Sequence, residues 1–191
     1  MREHEYETEI DTRLEGKLGF DRVRTFVADR CSTEYAVTRV TEERFSNDPK
    51  VIRERLALTD EMRLIVMFEE NFPTNGYIDC LDFLKPLEKT GYTIDILSLG
   101  KLRTMVETVR KLTNFFMSIK DGVYPNLKRM SAPVLSFPEV QRRIDQILDK
   151  FGDVKDTASD KLLEIRRAIK TKEGAISKRA NAILKQAQAD G

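Results

Sequence analysis

Apolar residues in this chain recur three and four positions apart and seldom alternate, so the pattern predicts helices and almost no strand. Phe20, Val23, Val27 and Cys31 draw one stripe over residues 18–31, and Ser32 is placed to cap a second helix running to about Phe45. Asp48-Pro49 is a helix start: the acid can accept a bond from a free amide, and proline at the first helical position has no amide to lose. The third helix then runs to about Glu70 through Val51, Leu56, Met62, Ile65 and Val66. Phe72 to Tyr92 is a break, with a turn at Asn75-Gly76. There Leu81, Leu84 and Leu87 predict a short helix ending near Gly91. Asp95 opens a long helix that gathers Leu99, Leu102, Val106, Val109, Leu112 and Phe116. Gly122 to Pro133 reads as a loop with one helical turn at Asn126–Met130. Pro138 starts another helix, with Val140, Ile144, Ile147, Leu148 and Phe151 inward and Gly152 as its C-terminal cap.

The last stretch follows a different rule. Ser159 is a good N-cap, Asp160 suits the helix dipole, and no proline follows up to Ala189. Leu162, Ile169, Ile176 and Ile183 recur every seven residues, joined by Ile165, and such a repeat keeps one narrow seam toward a partner helix. At 1.5 Å per residue this helix would reach roughly 45 Å, too long for the side of a small globule. The alternate seam positions are polar, Lys172, Arg179 and Gln186, and Gly174 costs about 1 kcal/mol relative to alanine. The expected fold class is all-α: a helical bundle core with a long C-terminal helix extending as a lever or coiled-coil arm. Residues 1–17 form an acidic lead, 18–152 the core domain and 153–191 the start of the arm. No later segment offers the arm a second helix, so the chain is expected to be part of a longer architecture.

Composition adds limits. With 40% hydrophobic and 34% charged residues, the chain can build a core, and no apolar run approaches a bilayer span. Met1-Arg2-Glu3-His4-Glu5 lacks an apolar signal core, so the cytoplasm is the expected location, with no membrane partner. Cys31 and Cys80 read as reduced core thiols. A net charge of +1 gives no overall attraction for nucleic acid, but the charge is uneven. Residues 1–15 hold six acids against two bases, and residues 161–187 hold eight bases against two acids. The simplest reading is a solvated face. The alternative is a phosphate-gripping arm using Lys170, Lys178, Arg179 and Lys185, although Lys172 and Arg179 lie on the seam side and the arm lacks aromatic residues for stacking.

No catalytic, cofactor-binding or metal site is expected in this chain. A phosphate-cradling loop needs a leading glycine, then Gly-Lys and a hydroxyl. Gly16-Lys17 has Asp11 and Leu18 at those positions, and Gly100-Lys101 has Asp95 and Leu102. His4 is the single histidine, which rules out a zinc cluster or a Ser-His pair of ordinary spacing. Glu42-Glu43, Glu69-Glu70 and the Asp79/Asp82 pair read as solvated faces, and Phe115-Phe116-Met117 reads as core.

Leu18-Gly19-Phe20-Asp21, followed by Cys31-Ser32, resembles the opening of the second bacterial branch of the MutS family, the paralogue bearing a Smr nuclease domain. Asp153-Val154-Lys155-Asp156-Thr157-Ala158-Ser159 and Leu162-Leu163-Glu164-Ile165-Arg166-Arg167 look like that family's passage from core into lever helix. Asp79, Leu84, Leu87, Gly91 and Leu97 fall where the family has a short helix, a glycine and the next helix start. The resemblance covers roughly residues 18–170. The chain departs from it in its acidic lead and in stopping before the clamp, the ATPase and the Smr domain. It implies a non-catalytic scaffold piece of a protein that binds branched DNA, restrains homologous recombination and uses ATP with magnesium. Some members are implicated in splitting collided ribosomes. A homodimer is expected, with Leu162, Ile165, Ile169, Ile176 and Ile183 as the helix-partner seam. The alternatives are a nucleic-acid-binding module acting through the basic arm and a coiled-coil adaptor.

Overall fold

The computed structural model describes residues 13–189, whose regular elements are all helical, with no strand among the described residues. Expectations for residues 1–12, including most of the acidic lead and His4, lie outside the described residues. A helical turn at residues 13–17 precedes α1 (Phe20–Ala28) and α2 (Glu34–Thr41). α3 (Pro49–Phe68) starts where Asp48 accepts a 2.8 Å bond from the Lys50 amide. α4 (Leu81–Leu84) runs into a 3₁₀ turn at Lys85–Glu88. α5 (Ile96–Ser118) starts where Asp95 accepts from the Ser98 amide at 2.9 Å. α6 (Pro125–Ser131) and α7 (Pro138–Ile147) both begin at proline. α8 (Asp160–Ala189) begins where the Ser159 hydroxyl accepts from the Leu162 amide at 3.2 Å.

The core lies where α3, α5 and α6 meet. Ile65, fully enclosed at 0% exposure, is clustered with Phe115, Phe116, Tyr124 and Leu127. Phe72 stands edge-on to Phe115, and Phe115 to Phe116, each pair with centroids 5.2 Å apart. A carboxylate from α3 caps α6. Buried Glu61 accepts from the Asn126 amide at 3.1 Å, the Asn126 side chain at 2.7 Å and the Leu127 amide at 2.8 Å, taking up donors that a helix start leaves unpaired. α7 docks on α5 through Ile144 and Leu148, and Gln141 Nε2 donates to Glu107 at 2.7 Å.

The α1–α2 pair is tied down by Glu15, which is 1% exposed although it falls in the stretch expected to be a lead. Glu15 accepts from Arg24 at 2.7 Å and from the Phe45 amide at 3.0 Å. Burial pushes its pKa up, but these two bonds and the neighbouring Arg24 and Arg44 charges outweigh that and hold it below the usual carboxylate range.

Several expectations need correction. Thr33, not Ser32, caps α2, accepting from the Ala36 amide at 3.2 Å, and α2 stops at Thr41 rather than Phe45. The inward stripe of α1 is half solvent-facing: Val23 and Val27 are exposed and Cys31 is only half-buried, whereas Cys80 is buried. On α3, Leu56 and Val66 point outward, since one flank of the helix has no neighbour. The loop with a single turn is a seven-residue helix, α6, because Glu61 supplies its cap. Val140 and Ile147 are exposed within α7, whose buried residue is Ile144, and Phe151 is exposed because α7 ends at Ile147, so the helical period no longer directs the residues beyond it. Leu148 and Val154 instead pair as an isolated antiparallel bridge.

Candidate nucleic-acid interface and partner seam

The arm is rooted at Asp156. Its carboxylate takes an ion pair from Arg166 and faces Lys170 Nζ at 3.6 Å. The Arg166 hydrogen bond is the main reason that its pKa lies below the ordinary value, opposed by some desolvation and aided by the charges of Arg166 and Lys170. Lys155 bends back to donate to the Asp145 carbonyl at 2.6 Å. Leu162 and Leu163 are half-buried at this junction. From Arg167 to Ala189 every side chain is exposed, so roughly the last 35 Å of α8 leaves the body as a bare helix.

The seam residues therefore have little cover. Ile165 and Ile169 are exposed, and Ile176 and Ile183 are each 68% exposed. Of the candidate phosphate-binding residues, Lys170 is engaged at the root, while Lys178, Arg179 and Lys185 stand in solvent. At 100° per residue Lys178 and Lys185 share one face with Arg167, a residue outside the candidate set; Arg179 lies beside the seam with Lys172.

The two Gly-Lys pairs do not fit a nucleotide. Gly100-Lys101 lies inside α5 and Gly16-Lys17 ends a helical turn, so neither forms a loop of inward-facing amides. Among the described residues no three Cys, His, Asp or Glu side chains converge as metal ligands.

The structure adds a feature that the sequence pattern does not announce. A polar cleft of about 710 Å³ lies between α5, α7 and the turn after α7, next to the Asn75-Gly76 turn. Arg103 pairs with Asp145 at 2.9 Å and donates to the Asp149 carbonyl at 2.6 Å. Glu107 is pinned by Arg110 at 2.7 and 2.9 Å, with Lys111 at 3.8 Å. The Arg110 bonds, against partial burial and with help from Gln141, lower its pKa to about 2. The signal that could disclose the cleft is Lys150-Phe151 just beyond a helix end, where helical spacing alone assigns Phe151 to the core.

No protein-family model matches the chain. Among curated proteins it is similar to endonuclease MutS2 of Listeria innocua serovar 6a, with 25% identity over 182 residues, covering 94% of this chain and 23% of that protein. Endonuclease MutS2 of Geobacillus sp. strain WCH70 matches with the same identity and coverage. That of Clostridium perfringens strain SM101 is 26% identical over 177 residues, covering 92% of this chain and 22% of that protein. The chain thus spans less than a quarter of the length of these relatives. Along almost the whole of its helical body and projecting helix, the chain is thus similar to the endonuclease MutS2 proteins.

Proposed function

We propose that the chain is a non-catalytic scaffold region of a MutS-branch protein acting on nucleic acid in the cytoplasm. In this reading residues 18–152 are its core and the helix from Asp160 onward is its lever. The observation that carries this is the 30-residue helix, anchored only at its root, whose apolar seam faces solvent. A lever transmits position between a nucleotide-binding end and a nucleic-acid-gripping end, and a single straight helix does this only while a second helix keeps it from bending. ATP, magnesium and nuclease chemistry belong to other parts of such a protein. Its targets would be branched DNA, through which it would restrain homologous recombination, or ribosomes and their RNA.

This chain alone is expected to give no heat on titration with ATP and magnesium and no cleavage of branched DNA. Micromolar ATP binding or strand cleavage would contradict the scaffold reading. A second reading is favoured by the exposure of the seam itself: two copies associate as an antiparallel coiled coil over residues 162–184. That direction sets isoleucines opposite Lys172 and Arg179, whose stems can pack, whereas a parallel pair would oppose like charges.

A further inference from the structure

We propose that the cleft between α5 and α7 is a second binding site, for a short run of single-stranded polynucleotide. Phe151 serves as the stacking surface for a base, and Lys150 and Lys111 meet the flanking phosphates. The proposal rests on the reading that this chain belongs to a protein acting on nucleic acid, but it places the contact on the body, away from the arm.

Phe151 is the most exposed aromatic residue among the described ones, at 79%. It is not displayed on a loose loop. Asp149 Oδ1 accepts from the Phe151 amide at 2.8 Å and the Asp153 amide at 3.0 Å. The Asp149 amide donates to the Asp153 carbonyl and the Lys155 amide to the Ile147 carbonyl, both at 2.8 Å. The backbone that carries the ring is ordered before a ligand arrives, so stacking need not order the loop. Lys150 Nζ lies over one face of the ring, 4.8 Å from its centroid, a cation able to meet a phosphate while the other face is left for the base.

The charge of the cleft points the same way. Four cations, Arg103, Arg110, Lys111 and Lys150, line it with two carboxylates, Glu107 and Asp145, a surplus of two positive charges. Both carboxylates are already held, by Arg110 and Arg103. The Asp149 carboxylate is turned to its own loop's amides and faces Lys155. Asn75 is fixed at the same cleft because the Asn75-Gly76 turn lies hard against α5: a Cβ on Gly76 would collide with Thr108 Oγ1. The Asn75 side-chain amide can donate to and accept from a base edge. An apolar protein segment would strand these polar groups without water, whereas a nucleotide satisfies ring, cations and amide together.

The test is an amide NMR titration of the 191-residue chain with hexathymidylate and, separately, hexauridylate, at low salt. Saturable shifts clustered on residues 103–111 and 149–153 are expected with both. One stacked base is worth about 1–3 kcal/mol, so Phe151→Ala should weaken binding about 5- to 150-fold. The exposure of Phe151 means that this change leaves no cavity, and Phe151→Trp should restore affinity. The triple change Lys178→Glu, Arg179→Glu, Lys185→Glu should leave the cleft shifts in place. Shifts confined to the arm would overturn the cleft site while leaving a nucleic-acid role intact. Phe151→Ala binding like the parent, the absence of saturable shifts, or hexaglutamate moving the same amides with equal affinity would each overturn it outright.

Discussion

Ile65 and Ile176 are the same side chain on two amphipathic helices, and they mark the difference between the body and the arm. On α3, Ile65 is enclosed by rings from α5 and the turn before α6. On α8, Ile176 is 68% exposed, with no helix of the body beside it. Burying such a side chain is worth about 1.5–3 kcal/mol. The body has realised that gain within the chain; the arm has it still to realise. Amphipathicity alone therefore does not tell whether a helix is a wall of its own domain or a surface waiting for another. The tie-breaker is length: α5 at 23 residues finds α6 and α7 along its flank, whereas α8 at 30 residues outruns everything but its first turns.

The comparison is broken most forcefully by truncating both isoleucines. Ile65→Ala is expected to cost about 2–5 kcal/mol of global stability, because the ring cluster around it collapses only in part. Ile176→Ala should change stability by less than about 0.5 kcal/mol, as for an exposed position. Urea unfolding followed by near-ultraviolet dichroism reports the body's aromatic cluster and separates the two.

Gly174 sharpens the contrast from the arm's side. Nothing lies within 4 Å of a Cβ built there, so Gly174→Ala adds helix propensity without a clash. It should stabilise the arm helix by about 1 kcal/mol, visible as higher far-ultraviolet helicity with an unchanged body transition.

Much of this division is legible in the sequence. Asp48, Asp95 and Ser159 each stand before a helix with the chemistry of a cap, and each caps it. The seven-residue seam locates the arm. The features that escape depend on long-range contacts. Glu61 and Glu15 are carboxylates, which sequence alone leaves in water, yet each is buried by backbone amides more than 25 positions away. α6 reads as a loop because its cap comes from α3. Phe151 reads as core because its spacing continues α7, although the helix ends four residues earlier. Adjacent hydroxyls at Ser32 and Thr33 leave the α2 cap ambiguous by one position.

A smaller effect belongs to acid. Glu107 ties α5 to α7 with a folded pKa of about 2 against an ordinary value of 4.5. Because the folded value is depressed, its contribution is fully present above about pH 4.5 and is lost as pH falls through 4.5 toward 2. Glu107→Gln should flatten this part of the stability profile, read from urea midpoints at about pH 6 and pH 3. The change should be modest, since the Arg110 pair is partly in water.

The most direct measurement is hydrogen exchange, resolved by peptide, at low and high protein concentration. The body, α3 and α5 above all, should be strongly protected at both. Residues 167–189 should exchange quickly when dilute, as expected for a helix with no supporting face. They should then gain protection as concentration brings a second seam alongside, and Ile169→Asp with Ile176→Asp should abolish that gain. An arm as protected as α5 in the dilute sample, or one indifferent to both concentration and those two changes, would contradict the claim that α8 needs a partner helix.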